Sequence, residues 1–569
     1  MPEPPGLDRA GQLDRARGHF QVVVVGGGVT GAGIAWDCAL RGLSTALLER
    51  TDFAAGTSSV SSKMVHAGLR YMVGDPQLVA EASRERQWLF RACPHLAWPV
   101  EFLLPAYGDT PEYDAAALPA VLRRYDELAA FGNTAPGRML DPCRVAADIP
   151  SLRGSPVAVG SYWDGMTDDA RLTLEVVRSA AAAGAVVLNH APVTGFLTDG
   201  AGRVRGVRFC DEDPAGPRGG GELTADAVVS AAGVYTDLLL RQAGDPGDSL
   251  RPSKGMHLVF RGGHTGGKAL VVPVGGNVLY FLVPFRPGYL AMGCTDTDYP
   301  VRGYAELDHV PSTAEEVDLT LGILEKVLPG VFDRARVAAC YAGVRPLVRP
   351  PQGPGRRLTE SQTSRTHRIW RAAGGLWVIA GGKLTTFRRM AEELVDAVVA
   401  DLHDRGLLRS RPACVTSAQR CCGAPGIAGG TEALEGWQSG ASAALAREAG
   451  LPPDCARHLA SAYGTAAGGL AALIAREPGL GRRIGEGRPF VRAEIRWAVE
   501  QEMCRSAADF LARRTQLRFV EHMGLDVLDT VVEELGDCLG WGSEVRRRQA
   551  EEYREHLRKV AAPAGVGIE

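Results

Sequence analysis

Lysine is scarce in this chain of 569 residues: of 63 basic side chains, only Lys63, Lys254, Lys268, Lys326, Lys383 and Lys559 are lysines. Arginine is the default cation, so each lysine marks a place where a compact point charge has a use. The C-x-x-C spacing is missing too: of the twelve cysteines only Cys421 and Cys422 are neighbours, and the rest are scattered. That argues against a disulfide framework or a structural metal site, and makes a reducing cytoplasm the expected compartment. Neither charge sign dominates, with 63 basic against 66 acidic residues, so the basic footprint of a nucleic-acid binder is absent. No apolar run reaches the ~18 residues of a membrane span. The nearest, residues 269–285, is interrupted by Pro273, Gly275, Gly276 and Asn277 and reads as a hairpin. Residues 1–20, an N-terminal extension, lack the apolar core of a secretory signal. The chain is expected in the cytoplasm, with contact at the inner face of the cytoplasmic membrane allowed.

What is present begins at residues 22–50, VVVVGGGVTGAGIAWDCALRGLSTALLER. The β-branched run 22–25 suits a strand buried on both faces. Gly26, Gly28 and Gly31 form G-x-G-x-x-G, with Gly27 and Thr30 inside it. The three glycines serve the tight turn, the close approach to a pyrophosphate, and the packing of helix on strand. A helix over 29–41 aims its first amides at the phosphates. A strand over 44–48 ends at Glu49, placed to accept from ribose hydroxyls, with Arg50 beside it. The motif alone leaves NAD and FAD both open.

Beyond it the middle of the chain is β-rich, with short strands at 186–188, 193–197 and 204–209. A strand at 228–230 runs into Ala231, Ala232 and Gly233, small residues that let a ligand approach the backbone. Another at 377–380 ends in Gly381, Gly382 and Lys383, before a helix over 386–400. A nucleotide unit assembled from such distant pieces points to an α/β (α+β) fold of the glutathione-reductase or amino-acid-oxidase type. Its Rossmann-like FAD-binding domain with inserted β-rich substrate segments spans 21–405. Residues 406–427, with Arg-Pro and Pro-Gly steps, read as a linker. Residues 428–569 read as a helical domain, with helices at 432–449, 456–463, 466–476, 492–513 and 525–539.

More specific stretches are GTSSVSSKMVHAGLRYM from Gly56, WDGMTDDARL, SKGMHLV, GCTDTDY, YAGVRPL and GGKLTTFR. Together they resemble the FAD-dependent glycerol-3-phosphate dehydrogenases, from the first strand to about Arg388. The resemblance resumes in RAEIRWAVEQEMCRSAADFLARRT and is weakest over 104–140 and the linker. Two residues depart from the family pattern: Ala67 stands for the first glycine of His-Gly-Gly-Leu-Arg-Tyr, and Phe387 for a tyrosine.

The resemblance implies FAD without a covalent tether, glycerol 3-phosphate as substrate and a quinone as acceptor. A peripheral membrane contact and a homodimer belong to the same expectation. It gives the hydroxyl-rich loop of Thr57, Ser58, Ser59, Ser62 and Lys63 to the cofactor; on residue type alone this is also an ordinary surface loop. His66, Gly68, Val193, Ala232, Gly233, Gly382 and Leu384 join that set. Arg70, Tyr71 and Thr295 fall to the substrate, with Asp296 lining the pocket or orienting His257. His257 is a candidate base for a hydroxyl proton, Arg345 a planar fork for an alkoxide or phosphate oxygen, and Lys383 a charge beside the flavin. Asp168, Asp169 and Arg171 read as a structural cluster, and Arg513–Arg514, like the other C-terminal arginine groups, as a solvated helix face. The alternatives are an oxidase using O₂, a related flavoenzyme on another substrate, and a flavin-bound redox sensor.

Overall fold

The computed structural model describes residues 7–108, 115–154, 156–214, 216, 219–274, 278–349 and 366–566. Two sheets organise it. The first has eight strands, and its parallel part starts from Gly18–Val25, where Val22, Val23 and Val24 are fully buried. Burying such a side chain contributes roughly 1.5–3 kcal/mol. Thr45–Leu48 lies on one flank, with Val22 opposite Thr45, and Gly219–Ser230 on the other, with Val22 opposite Ala227. Trp377–Gly381 extends the sheet beside Gly219–Ser230. The pieces that build this sheet are therefore about 200 and 350 residues from the glycine loop in sequence, a separation only long-range pairing bridges.

Helix Val29–Leu40 packs against Asp169–Ala182 and Phe387–Asp404, closing one core over the sheet. Phe387 is fully buried there, edge-on to Trp88, and the close approach of Gly33 leaves its ring no room to shift. A tyrosine hydroxyl has no role in that packing.

The second sheet has ten strands and carries the opposite wall of the site. Its long antiparallel pair, Leu250–Arg261 and Val337–Val348, sets His257 opposite Tyr341 and Ser253 opposite Arg345. The expected hairpin appears as Ala269–Pro273 paired with Leu279–Arg286; its turn, 275–277, lies outside the described residues. Helices Pro76–Ala92 and Asp169–Ala182, not anticipated in the β-rich middle, cover these sheets.

In the C-terminal part, Thr431–Ala449, Pro453–Tyr463, Ala467–Arg476 and Arg492–Glu502 share their own core. Leu528–Leu539 and Ser543–Val560 instead join the core of the second sheet. The helix expected to run on to 513 stops at Glu502, because Met503 turns to φ 51°. That turn sends Asp509–Arg514 back towards the nucleotide domain, where Arg514 is buried and Arg513 half-buried rather than solvated. Both bind Asp52, at 2.5 and 2.7 Å. Nearby, buried Arg171 meets Glu502 at 2.9 Å, which bears out its structural reading. Residues 406–427 contain one short 3₁₀ helix, Thr416–Ala418, and bury Cys421, Ala424 and Ile427.

Candidate functional site

One continuous cavity runs between the two sheets. It is bounded by Gly26, Glu49 and Arg50 at one end and by His257, Arg345 and Lys383 at the other. At the first end the backbone does the work. Gly26 has φ +114°, and a Cβ there would lie 2.6 Å from the Ala231 carbonyl. A Cβ on Gly31 would collide with the Gly26 carbonyl, so this glycine seats the helix and does not face the cavity. Glu49 accepts from the Gly27 amide at 2.7 Å and the Thr51 amide at 2.9 Å. Ser58 accepts from the Val29 amide at 3.0 Å, one of the first amides of the helix. Arg50 is held by Asp308 and lies 4.9 Å from the rings of Tyr235 and Tyr304. Thr30, Thr57, Val193, Ala232 and Gly233 complete this wall.

At the second end charged side chains converge from distant segments. His257 Nε2 lies 2.9 Å from Ser62 Oγ, and its ring stacks on Tyr341 at 4.7 Å. Arg345 donates to Cys294 Sγ at 2.7 Å, to the Thr295 carbonyl at 3.1 Å and to Asp296 at 3.2 Å. Burial by itself raises the Cys294 thiol, but the Arg345 guanidinium, aided by hydrogen bonds from His257 and Ser62, brings it down to about 5. Arg345 therefore bridges Cys294 and Asp296. Gly381 and Gly382, each at φ +82°, present Lys383 at the strand end. Its Nζ donates to the Ala67 carbonyl at 3.2 Å and lies 4.2 Å from the Tyr71 ring centre. Arg70 in turn donates to the Tyr71 hydroxyl at 2.6 Å. His66 and Leu384 line the cavity, and the His66 amide donates to Thr385 at 3.1 Å.

Several residues stand elsewhere than their motifs suggest. Lys63 points away from the cavity to buried Asp169, at 2.5 Å, and to the Ser59 carbonyl, at 2.7 Å. Its scarcity as a residue type marked a buried ion pair. Thr295 is 1% exposed and uses its hydroxyl to accept from the Met256 amide at 2.9 Å, so it supports Arg345 from behind. Arg70, Tyr71 and Gly68 lie behind Lys383 and off the cavity wall, with Gly68 at φ +93°. Ala67 has no left-handed backbone and is buried in the core of the second sheet, its amide donating to Asp164 at 3.1 Å. The replacement of glycine there is accommodated without strain. Cys294 and Tyr341 were missed although they stand in the stretches GCTDTDY and YAGVRPL, because only strand register brings them to His257 and Arg345.

A dinucleotide fits this shape: a glycine cradle that any Cβ would fill, an acid for ribose, and a long groove leading to a cationic end. The fold and cavity define an FAD-dependent oxidoreductase. The FAD dependent oxidoreductase family matches residues 21–397, and the C-terminal domain of alpha-glycerophosphate oxidase matches residues 414–546. A glycerol-3-phosphate dehydrogenase of Mycobacterium leprae is 34% identical over 95% of this chain and 88% of its own. A probable mitochondrial glycerol-3-phosphate dehydrogenase of Dictyostelium discoideum is 31% identical over 95% of this chain and 84% of its own. The crystal structure of the glycerol-3-phosphate dehydrogenase from Bacillus halodurans, complexed with FAD, superimposes with a TM-score of 0.77. It covers 98% of this chain and 99% of its own at 28% identity. The chain belongs to the FAD-dependent glycerol-3-phosphate dehydrogenase family.

Proposed function

We propose that this protein oxidises sn-glycerol 3-phosphate to dihydroxyacetone phosphate and passes the electrons to a membrane quinone. The observation that carries the reading is the convergence of His257, Arg345 and Lys383 on one end of a dinucleotide cavity. FAD, held without a covalent link by the glycine cradle, Glu49 and the Ser58 loop, would supply the hydride acceptor when bound. His257 Nε2 takes the C2 hydroxyl proton, and the stacked Tyr341 ring keeps the imidazole in plane. Arg345 holds the developing alkoxide with a fork already oriented by Asp296 and the Thr295 carbonyl. Lys383, backed by Tyr71 and Arg70, supplies positive charge for the substrate phosphate.

The test is turnover of glycerol 3-phosphate with an artificial acceptor under nitrogen, beside a peroxide assay in air. No turnover with this substrate would sink the reading. Fast peroxide formation would favour O₂ as acceptor, an alternative motivated by the match to the C-terminal domain of alpha-glycerophosphate oxidase. Acid precipitation is expected to release the flavin into the supernatant.

A lipid-dissolved acceptor calls for contact with a bilayer, and no helix among the described residues is long and apolar enough to cross one. Helix Leu118–Leu128, which by sequence sets an apolar stripe beside Arg123 and Arg124, turns that stripe inward. Leu118, Leu122 and Tyr125 are buried in the core, and Arg123 and Arg124 bind Glu127. Among the described residues, Val73, 98% exposed, and Phe131, 71% exposed, are the most exposed large apolar side chains that could meet a membrane. Co-sedimentation with anionic vesicles should weaken for Val73→Ser; unchanged pelleting removes that residue from the contact.

A further inference from the structure

A second cavity of about 440 Å³ lies at the seam between the nucleotide domain and the C-terminal segments. It adjoins the first, with seven residues facing both, Thr57, Tyr235 and Gly343 among them, but it has its own charged wall. Arg518 stands on its wall, 7% exposed, and its Nε is buried without an acceptor. No carboxylate pairs with this guanidinium among the described residues; its neighbour is the ring of Phe519, 5.0 Å away.

The acids around the cavity are already engaged. Asp509 binds Arg513 at 2.6 Å and His190 at 3.0 Å, Asp308 holds Arg50, and Glu552 accepts from Gln549 at 2.8 Å. His556 and His309 face each other, Nδ1 to Nδ1 at 3.1 Å. Burial, with Arg518 adding repulsion, pushes His556 well below the ordinary range and keeps it neutral. Arg518 is thus a buried positive charge that no acid among the described residues pairs with. Such a charge is costly unless an anion joins it, and a guanidinium offers two parallel donors to an oxyanion.

We propose that the seam cavity is a second ligand site, in which Arg518 receives a small oxyanion, a carboxylate or a phosphate group. Its occupant would lie two aromatic contacts from the reaction. Phe519 meets Tyr341 edge-on at 4.9 Å, and Tyr341 stacks on His257 at 4.7 Å. The binding claim does not depend on the substrate assigned above; turnover of glycerol 3-phosphate is assayed separately.

Isothermal titration of the FAD-loaded protein with inorganic phosphate, and in a second arm with succinate, tests it. The substrate end has its own cations, so the readout is the equivalent that disappears with Arg518. Arg518→Leu should lose one equivalent or weaken it at least tenfold, and Arg518→Lys should weaken it several-fold while keeping the fold. In anion-free buffer Arg518→Leu should melt no lower than wild type, since it removes an unpaired buried charge. A response to phosphate alone assigns a phosphate ligand, and a response to succinate alone a carboxylate. The proposal is overturned if neither anion binds outside the substrate end, or if both Arg518 variants titrate as wild type does. Should Arg518→Leu fail to fold, Arg518→Lys and the wild-type stoichiometry decide.

Discussion

The two ends of the main cavity are built on different principles. The nucleotide end is made of backbone and small residues close in sequence: Gly26, Gly28, Glu49 and Ser58 fall within about thirty positions. The substrate end is made of polar and charged side chains brought from five segments: Ser62, His257, Cys294, Arg345 and Lys383. A cradle defined by the absence of side chains tolerates no addition. A cluster defined by charge tolerates changes of shape but not of protonation or partner.

The largest effects should come from the cradle. Gly26→Val places a side chain against the Ala231 carbonyl, at a φ that L-residues avoid, and should give a colourless protein with no flavin absorbance. A yellow Gly26→Val enzyme would break the comparison outright. At the other end, His257→Asn and Lys383→Met should keep the yellow colour and lose turnover. The expected falls in kcat/KM are about 10²–10⁴-fold for the base and roughly 10²–10³-fold for the charge. Arg345→Lys should be impaired as well, because an ammonium cannot serve Cys294, Asp296 and the substrate in one plane. Loss of flavin from these variants would show that the two ends are one unit.

Asp52 sharpens the comparison from outside the cavity. It is fully buried and binds Arg513 and Arg514, so Asp52→Asn leaves both cations undercompensated. Breaking a buried pair costs about 3–5 kcal/mol, read as a lower melting temperature with kcat little changed. A variant as stable as wild type would mean that the seam is held by packing alone.

The smallest effect is a slope. Against the pull of burial, Arg345 brings the Cys294 thiol from its ordinary 9.0 to about 5. Because the folded value is the lower one, the unfolded chain binds the proton more readily. The resulting stabilisation is complete above about pH 9 and is lost as the pH falls towards 5. Cys294→Ser should therefore flatten the rise of stability between pH 5 and 9. Equal slopes in the two proteins would show that Cys294 keeps its proton and that Arg345 is balanced by Asp296.

The sequence by itself determined the nucleotide end. Glycine spacing, a β-branched run and a terminal acid are local features, and local backbone geometry follows from them without help from the rest of the chain. Hydrophobic periodicity likewise placed most of the C-terminal helices. It missed Ser543–Val560, whose run of charges hides a narrow apolar stripe of Ala550, Tyr553 and Leu557, and the break at Met503, which no residue type announces. Only the tertiary structure decided which polar groups act and which merely balance one another. Lys63 and Lys383 look alike as rare lysines in polar loops, yet one meets a buried carboxylate and the other a carbonyl and an aromatic face at the cavity wall. Arg513 and Arg518 stand five residues apart, and a turn of chain gives the first two acids and the second none. A charge takes its role from its partners, and partners are set by strand register and domain packing over hundreds of residues.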